Sequence, residues 1–184
     1  MTFKKYLKSI LTLAAAGLAL EASAKNAAGE VKSLPGLQNM TSKIYSGMYN
    51  VSSTRGLFYT LVESESDPVN DPLLVWFSGG PGGASTFQLM YGNGPYVFID
   101  NKTIFPNENA WSKKTNLLFV DNPAGVGYSW AKRSLDLTTN DYQFSLDAIS
   151  FITQFFKEWP ELTKNPLFIT GQSYGGIYAP YLTW

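Results

Sequence analysis

The 184-residue chain contains no histidine and no cysteine. The first absence removes the side chain that most often serves as general base at neutral pH. The second excludes disulfides and thiolate chemistry. Charge is scarce as well, at 15% of residues, with 14 basic and 14 acidic side chains and a net charge of zero. Nucleic acid demands a basic footprint, and none is present, so no nucleic-acid partner is expected. No metal-ligand cluster or phosphate-binding loop is evident, and neither metal nor cofactor is expected. Hydrophobic runs are short. What remains is a globular composition, 45% apolar and 15% aromatic, long enough for one domain with a sizeable core.

The N-terminus has the features of a targeting segment. Lys4, Lys5 and Lys8 precede the apolar run Ile10 to Leu20, and Ala22-Ser23-Ala24 follows as a small-residue cleavage pattern. That run falls short of the ~20 apolar residues a spanning helix needs, so no stable membrane anchor is expected. Residues 1–24 are therefore read as a cleaved signal peptide and residues 25–184 as the mature domain. Three N-x-[ST] sequons, at Asn39, Asn50 and Asn101, fit a glycoprotein of the secretory pathway. Extracellular and lysosomal or vacuolar destinations are both compatible with these features.

Further along, Leu57 to Glu63 is rich in aromatic and β-branched residues and predicts a strand. Leu73 to Ser78 and Leu117 to Val120 are short apolar runs, which suit strands buried on both faces. From about Thr139 to Trp159, Tyr142, Leu146, Ile149, Ile152, Phe156 and Trp159 recur at helical spacing, and Pro160 ends the run. A third buried strand spans Leu167 to Thr170, and a second helix covers Ile177 to Leu182. Buried strands alternating with helices predict an α/β domain with a mostly parallel sheet flanked by helices.

The stretch Gly171-Gln172-Ser173-Tyr174-Gly175 has the G-x-S-x-G form of a nucleophile elbow, a sharp strand-to-helix turn that exposes a serine oxygen. Acyl transfer through such a serine also needs backbone N–H groups aimed at the oxyanion. Tyr174 follows the serine, and the loop Ser78 to Gly83, "SGGPGG", follows an earlier strand. Gly171, Gly175 and Gly176 are expected to relieve crowding around the strained serine. Either motif alone is a weak signal. Together, in strand–loop order, they predict catalysis through Ser173.

These segments carry a family resemblance. "LPG" at Leu34, "YSGMYNV", "LLVWFSGGPGGAS", "NENAWSKKTNLLFVDNPAGVGYSW" and "GQSYGGIYAP" follow one another as in the N-terminal part of a serine carboxypeptidase. The resemblance implies an α/β-hydrolase fold, a Ser–Asp–His triad and removal of C-terminal residues from peptides. It implies Ser173 as nucleophile, and the N–H groups of Gly80 and Tyr174 as oxyanion hole. In this fold the triad acid and histidine follow the serine. Both are expected beyond Trp184, which makes the chain the incomplete N-terminal part of a longer enzyme. Asp121 precedes the serine and is read as structural. The other reading is a non-catalytic secreted remnant of the fold, acting as a binding or protective protein, or a related hydrolase or acyltransferase.

The resemblance also marks a departure. Members of this family hold the substrate carboxylate with an asparagine before the double glycine and with two glutamic acids. One acid lies in an E-x-G-P-like segment and the other directly before the nucleophile. The corresponding places are read as Ser78, Asn93 and Gln172. A carboxyl group must be protonated to donate to a carboxylate, whereas an amide donates at any pH. Asn93, between two glycines, is equally suited to a turn.

Overall fold

The computed structural model describes residues 29–100 and 103–183. The signal segment and the Asn101 sequon lie outside the described residues; Asn39 and Asn50 are both exposed.

Nine strands and two α-helices are present in the described residues: β1 (Glu30–Val31), β2 (Ile44–Asn50), β3 (Arg55–Val62), β4 (Leu73–Phe77), β5 (Tyr96–Phe98), β6 (Ile104–Pro106), β7 (Asn116–Val120), β8 (Trp130–Ala131) and β9 (Leu167–Gly171), with α1 (Asp141–Glu158) and α2 (Gly175–Thr183). Seven strands form one sheet in the order β1-β2-β3-β7-β4-β9, with β8 pairing at the end of β3, and β5 and β6 form a separate hairpin. The parallel arrangement expected of buried strands alternating with helices is found in β7, β4 and β9. The N-terminal strands add an antiparallel meander, β1-β2-β3, and β3 also runs antiparallel to β7.

Strand β7 explains why its sequence is an unbroken apolar run. Leu117 and Phe119 enter one core with Ile44, Val62, Trp76, Leu89 and Tyr96. Leu118 and Val120 point the other way and join Tyr59, Leu61, Val75 and Phe77 beneath the helices. Successive side chains of a strand face opposite sides, so a strand covered on both faces needs apolar residues throughout.

Helix α1 begins where Asn140 accepts a hydrogen bond from Gln143 N at 2.8 Å through its side chain, an N-cap. It spans the predicted stretch, and Ile152, Phe156 and Trp159 of the expected stripe are buried with Ile149 packed against the core. Phe144, Ala148, Phe151 and Phe155, spaced four, three and four apart, are fully buried, while Tyr142 and Leu146 of the expected stripe are exposed. The buried face is therefore wider than the expected stripe and shifted toward the phenylalanines at its N-terminal end. Beside it Arg55 makes a two-pronged contact with Asp147 on α1, at 2.8 and 3.0 Å, and reaches Asp136 at 3.2 Å. Arg133 also grips Asp136, at 2.8 Å through two nitrogens.

Candidate active site

Strand β9 ends at Gly171 and α2 begins at Gly175, leaving Gln172, Ser173 and Tyr174 to make the turn. Ser173 has φ +57°, the only positive φ of a residue other than glycine among the described residues. Such a conformation costs an L-residue roughly 1–2 kcal/mol, and it persists where the surroundings enforce it. Here Gly175 N donates to Gln172 O at 2.9 Å and Gly176 N to Ser173 O at 2.8 Å. Ser173 is exposed, and its hydroxyl makes no hydrogen bond among the described residues.

Glycines let the neighbouring strand approach this turn. A Cβ on Gly171 would lie 2.7 Å from Phe77 O, and one on Gly175 would strike the same oxygen. The expectation for Gly176 is corrected: a Cβ there would meet nothing within 4 Å, so this glycine relieves no crowding. Gly79 instead carries the close approach. A Cβ on it would lie 2.5 Å from Gln172 O, 2.6 Å from Tyr174 N and 2.9 Å from Ser173 Cβ. The glycine loop therefore abuts the elbow at the Tyr174 N–H. Neither that N–H nor the N–H of Gly80 is used in hydrogen bonds within the described protein, so both are available to an incoming acceptor. The sequence signal for Gly79 was its place in the double glycine.

The loop is fixed from below. Ser78 N donates to Ser85 Oγ at 2.9 Å, and Gly83 N to Gly79 O at 2.7 Å. Asp121, at the end of β7, is fully buried and accepts from Thr86 N at 2.9 Å and Tyr128 N at 3.1 Å. Burial pushes its carboxyl above the usual range, against the backbone donors that pull it down. Asp121 thus ties the short helical turn Ser85–Leu89, which follows the glycine loop, to the sheet.

Tyr174 is anchored through its other end. Its hydroxyl donates to Asp141, 3.1 Å from one carboxylate oxygen and 3.3 Å from the other, and its ring meets Tyr178 edge-on. The Asp141 hydrogen bond, with burial, raises the Tyr174 phenol. Tyr178 stacks on Phe144 at 3.7 Å, and burial pushes its phenol up to about 12. Sequence reasoning passed over Asp141, whose only visible signal was its place at a helix start.

Of the three places read for carboxylate binding, Gln172 alone lies at the exposed corner beside Ser173. Ser78 is buried, and its hydroxyl accepts from Trp76 Nε1 at 3.2 Å. Asn93 is corrected as a substrate contact: it is 7% exposed, and both atoms of its amide are closed off from solvent. Its backbone oxygen accepts from Trp111 N at 3.0 Å, and Asn107 Nδ2 bonds the carbonyls of Gly92 and Gly94 on either side at 2.9 Å. It is a turn residue. The side chain that does reach Gln172 is Gln88, which sequence reasoning missed because it belongs to none of the motifs.

Comparison with known proteins bears on these assignments. The chain is 41% identical over 141 residues to serine carboxypeptidase S10 family member 1 of Dictyostelium discoideum, covering 76% of this chain and 34% of that protein. It is 39% identical over 163 residues to serine carboxypeptidase 1 of Hordeum vulgare, covering 84% and 33%. The lysosomal protective protein of Mus musculus is 38% identical over 155 residues, covering 83% and 32%. The chain thus spans about a third of the length of these relatives. Among solved structures, a prohormone-processing carboxypeptidase from Saccharomyces cerevisiae superposes with a TM-score of 0.73 at 24% identity, covering 89% of this chain and 38% of that one. That likeness establishes the shared α/β-hydrolase-type fold. A family model described as serine carboxypeptidase matches residues 35–184, which include the glycine loop and the elbow, and the chain belongs to that family.

Proposed function

We propose that this chain is the nucleophile-bearing part of a serine carboxypeptidase that releases C-terminal residues from peptides. One observation carries the reading: an exposed Ser173 held at φ +57°, with the glycine loop packed against the Tyr174 N–H beside it. Ser173 Oγ attacks the carbonyl carbon of the last peptide bond, and the carbonyl oxygen takes up the negative charge. The N–H groups of Gly80 and Tyr174 receive that oxyanion. The terminal amine leaves with a proton, and water then releases the acyl group from Ser173. Removing one such donor costs about 100-fold to 1,000-fold in kcat in comparable sites.

A histidine must take the Ser173 proton and return it to the leaving amine, with an aspartate orienting the ring. On this reading the histidine comes from polypeptide outside these 184 residues, which contain none, and so does the aspartate, because the triad acid follows the serine in this fold. The N-terminal targeting pattern, exposed Asn39 and Asn50, and the kinship with a lysosomal protective protein support a place in the secretory pathway.

The absence of histidine also favours a second reading, a secreted remnant of the fold that binds or protects another protein without catalysis. Two measurements separate them. The transcript is read past the Trp184 codon, and the encoded protein is assayed for amino-acid release and for fluorophosphonate labelling. The carboxypeptidase reading expects a downstream aspartate and histidine, labelling at Ser173, and loss of both activities in Ser173→Ala. A stop codon at that point, or a protein inert in both assays, overturns the carboxypeptidase reading.

A further inference from the structure

Away from the elbow, a cavity of about 140 Å³ opens between β2 and the C-terminal end of α1. It has room for a small organic group rather than a single water. Rings of Tyr45, Tyr49, Tyr59 and Trp159 line it, and among the described residues Glu158 is the only charged side chain in its wall. Tyr45 and Tyr49 stand on one face of β2, because residues four apart in a strand point the same way. Gly47 lies between them. A Cβ there would sit 2.8 Å from Tyr59 Cε1 and 2.9 Å from the Tyr59 hydroxyl oxygen, so the glycine gives that ring its place. Tyr49 and Tyr59 stack with centroids 5.2 Å apart, and Trp159 meets Tyr45 edge-on at 4.9 Å.

The polar groups of this wall are unbalanced. Tyr49 donates its hydroxyl hydrogen to Glu158 Oε2 at 2.6 Å, and Trp159 Nε1 donates to the Tyr59 hydroxyl at 3.4 Å. The donors of Tyr49 and Trp159 are thereby engaged, whereas Glu158 keeps acceptor capacity. Its Oε1 makes neither a hydrogen bond nor an ion pair among the described residues. Burial, and after it the hydrogen bond to Glu158, raises the Tyr49 phenol, so Tyr49 stays a neutral donor. Glu158 is also the last residue of α1, where the helix macrodipole is negative and a carboxylate is unfavourable. Lys157, the cation of that last turn, is exposed and does not line the cavity.

From this geometry we infer that the cavity binds a primary alkylammonium ion, its N–H groups donating to Glu158 Oε1 and its charge and first methylenes lying against the rings of Tyr45, Tyr49, Tyr59 and Trp159. An ammonium is drawn to the negative face of an aromatic ring, more strongly where water is excluded. The carboxylate gains the counter-ion that its place at the helix end withholds. None of the described lining residues belongs to the elbow or the glycine loop, and β2 stands four strands from β9 in the sheet. The site is therefore independent of what Ser173 does. A free amine and a lysine side chain present the same group to it.

The test uses the protein expressed from its complete reading frame and follows n-butylammonium by isothermal titration calorimetry. Saturable binding with a Kd of about 1 mM is expected. n-Butanol, a neutral compound of the same length, is expected to bind at least about tenfold more weakly. Glu158→Gln keeps an oxygen that accepts from Tyr49 but removes the charge. It is expected to weaken n-butylammonium about tenfold and to leave n-butanol unchanged. Equal affinity for the amine and the alcohol overturns the inference, as does undiminished amine binding in Glu158→Gln. The comparison of amine with alcohol needs no variant, so it decides the question even where Glu158→Gln does not fold.

Acetyl-Gly-Lys-Gly-amide separates the two sources of the ammonium, since its only cation is the lysine side chain and its C-terminus carries no carboxylate. Peptide binding as tight as that of n-butylammonium or tighter, and weakened in Glu158→Gln, assigns the site to a lysine of a protein partner. Weaker or no peptide binding beside saturable n-butylammonium binding assigns it to free amines. Binding of neither overturns the site.

Discussion

Across one half of the sheet, β3 and β7 bury Tyr59, Leu61, Leu118 and Val120 beneath Phe144, Phe151 and Phe155 of α1. At the other end β9 and α2 leave Phe168, Ile177 and Tyr181 about half exposed. The first region is held by enclosure: rings of Tyr49, Tyr59, Phe151, Phe155 and Trp159 contact one another at centroid distances from 5.2 to 6.0 Å, within the roughly 4.5–7 Å typical of aromatic pairs. The second is held by backbone contact. Strand β9 pairs only with β4 among the described residues, yet the elbow at its end keeps an unfavourable φ because Gly79, Gly171 and Gly175 bring backbone directly against backbone. A region need not be deeply covered to be geometrically fixed. Short-range steric exclusion substitutes for burial where a serine must stay open to a substrate.

Substitutions can break this contrast from either side. The largest effect is expected in the enclosed half: Phe151→Ala leaves a cavity under the aromatic cluster and should lower unfolding free energy by about 3–5 kcal/mol in urea titrations. Between the two regions, Asp121→Ala strips the acceptor from Thr86 N and Tyr128 N and should cost about 1–3 kcal/mol. It should also loosen the glycine loop, which amide hydrogen exchange at Gly79 to Gly83 would report. In the open half the sign reverses. Ser173→Gly removes the left-handed strain and should raise unfolding free energy by about 1 kcal/mol while abolishing any fluorophosphonate labelling. A loss of stability there would mean the elbow is relaxed.

The smallest effect is a pH dependence at the rim of α1. Arg133 first, with Thr54 and Arg55, holds the Asp136 carboxyl well below the usual carboxylate range against the opposing effect of desolvation. A carboxylate depressed on folding stabilises above its unfolded pKa of about 3.9 and loses that contribution as pH falls below it. The difference in melting temperature between the unaltered chain and Asp136→Asn should therefore be present near neutral pH and shrink in strong acid. A constant difference would assign the effect of the substitution to packing.

Much of the fold was legible because its elements carry strong local signals. Strands β3, β4, β7 and β9 are short apolar or aromatic runs, and α1 has helical periodicity bounded by Asn140 and Pro160. Strand β2 was not, although Ile44–Asn50 pairs with β3 over seven residues. Its Ser46, Gly47 and Asn50 read as turn residues, and Gly47 is required only because the Tyr59 ring lies across it. Only the first two positions of the α1 stripe were misread, for a related reason. Tyr142 and Leu146 are as apolar as the buried residues, and only the position of β2 and β3 decides which stripe is covered. At the site, Ser173, Gly80 and Tyr174 stood in contiguous motifs. Gln88, Gly79 and Asp141 act on the elbow from 85, 94 and 32 residues before Ser173 and left no comparable mark.

By itself the sequence determined the serine's identity, the strand–turn–helix form around it and the glycines that permit it, because elbows and glycine loops are written in neighbouring residues. It also determined that no imidazole comes from these 184 residues. Tertiary structure alone decided which amide meets Gln172. Gln88 reaches it because Gly92 lacks a side chain and the turn after the glycine loop is pinned by Asp121, whereas the Asn93 side chain is buried. Chain neighbours fix what a residue is able to do, but hydrogen bonds between distant segments depend on where packing brings their ends together.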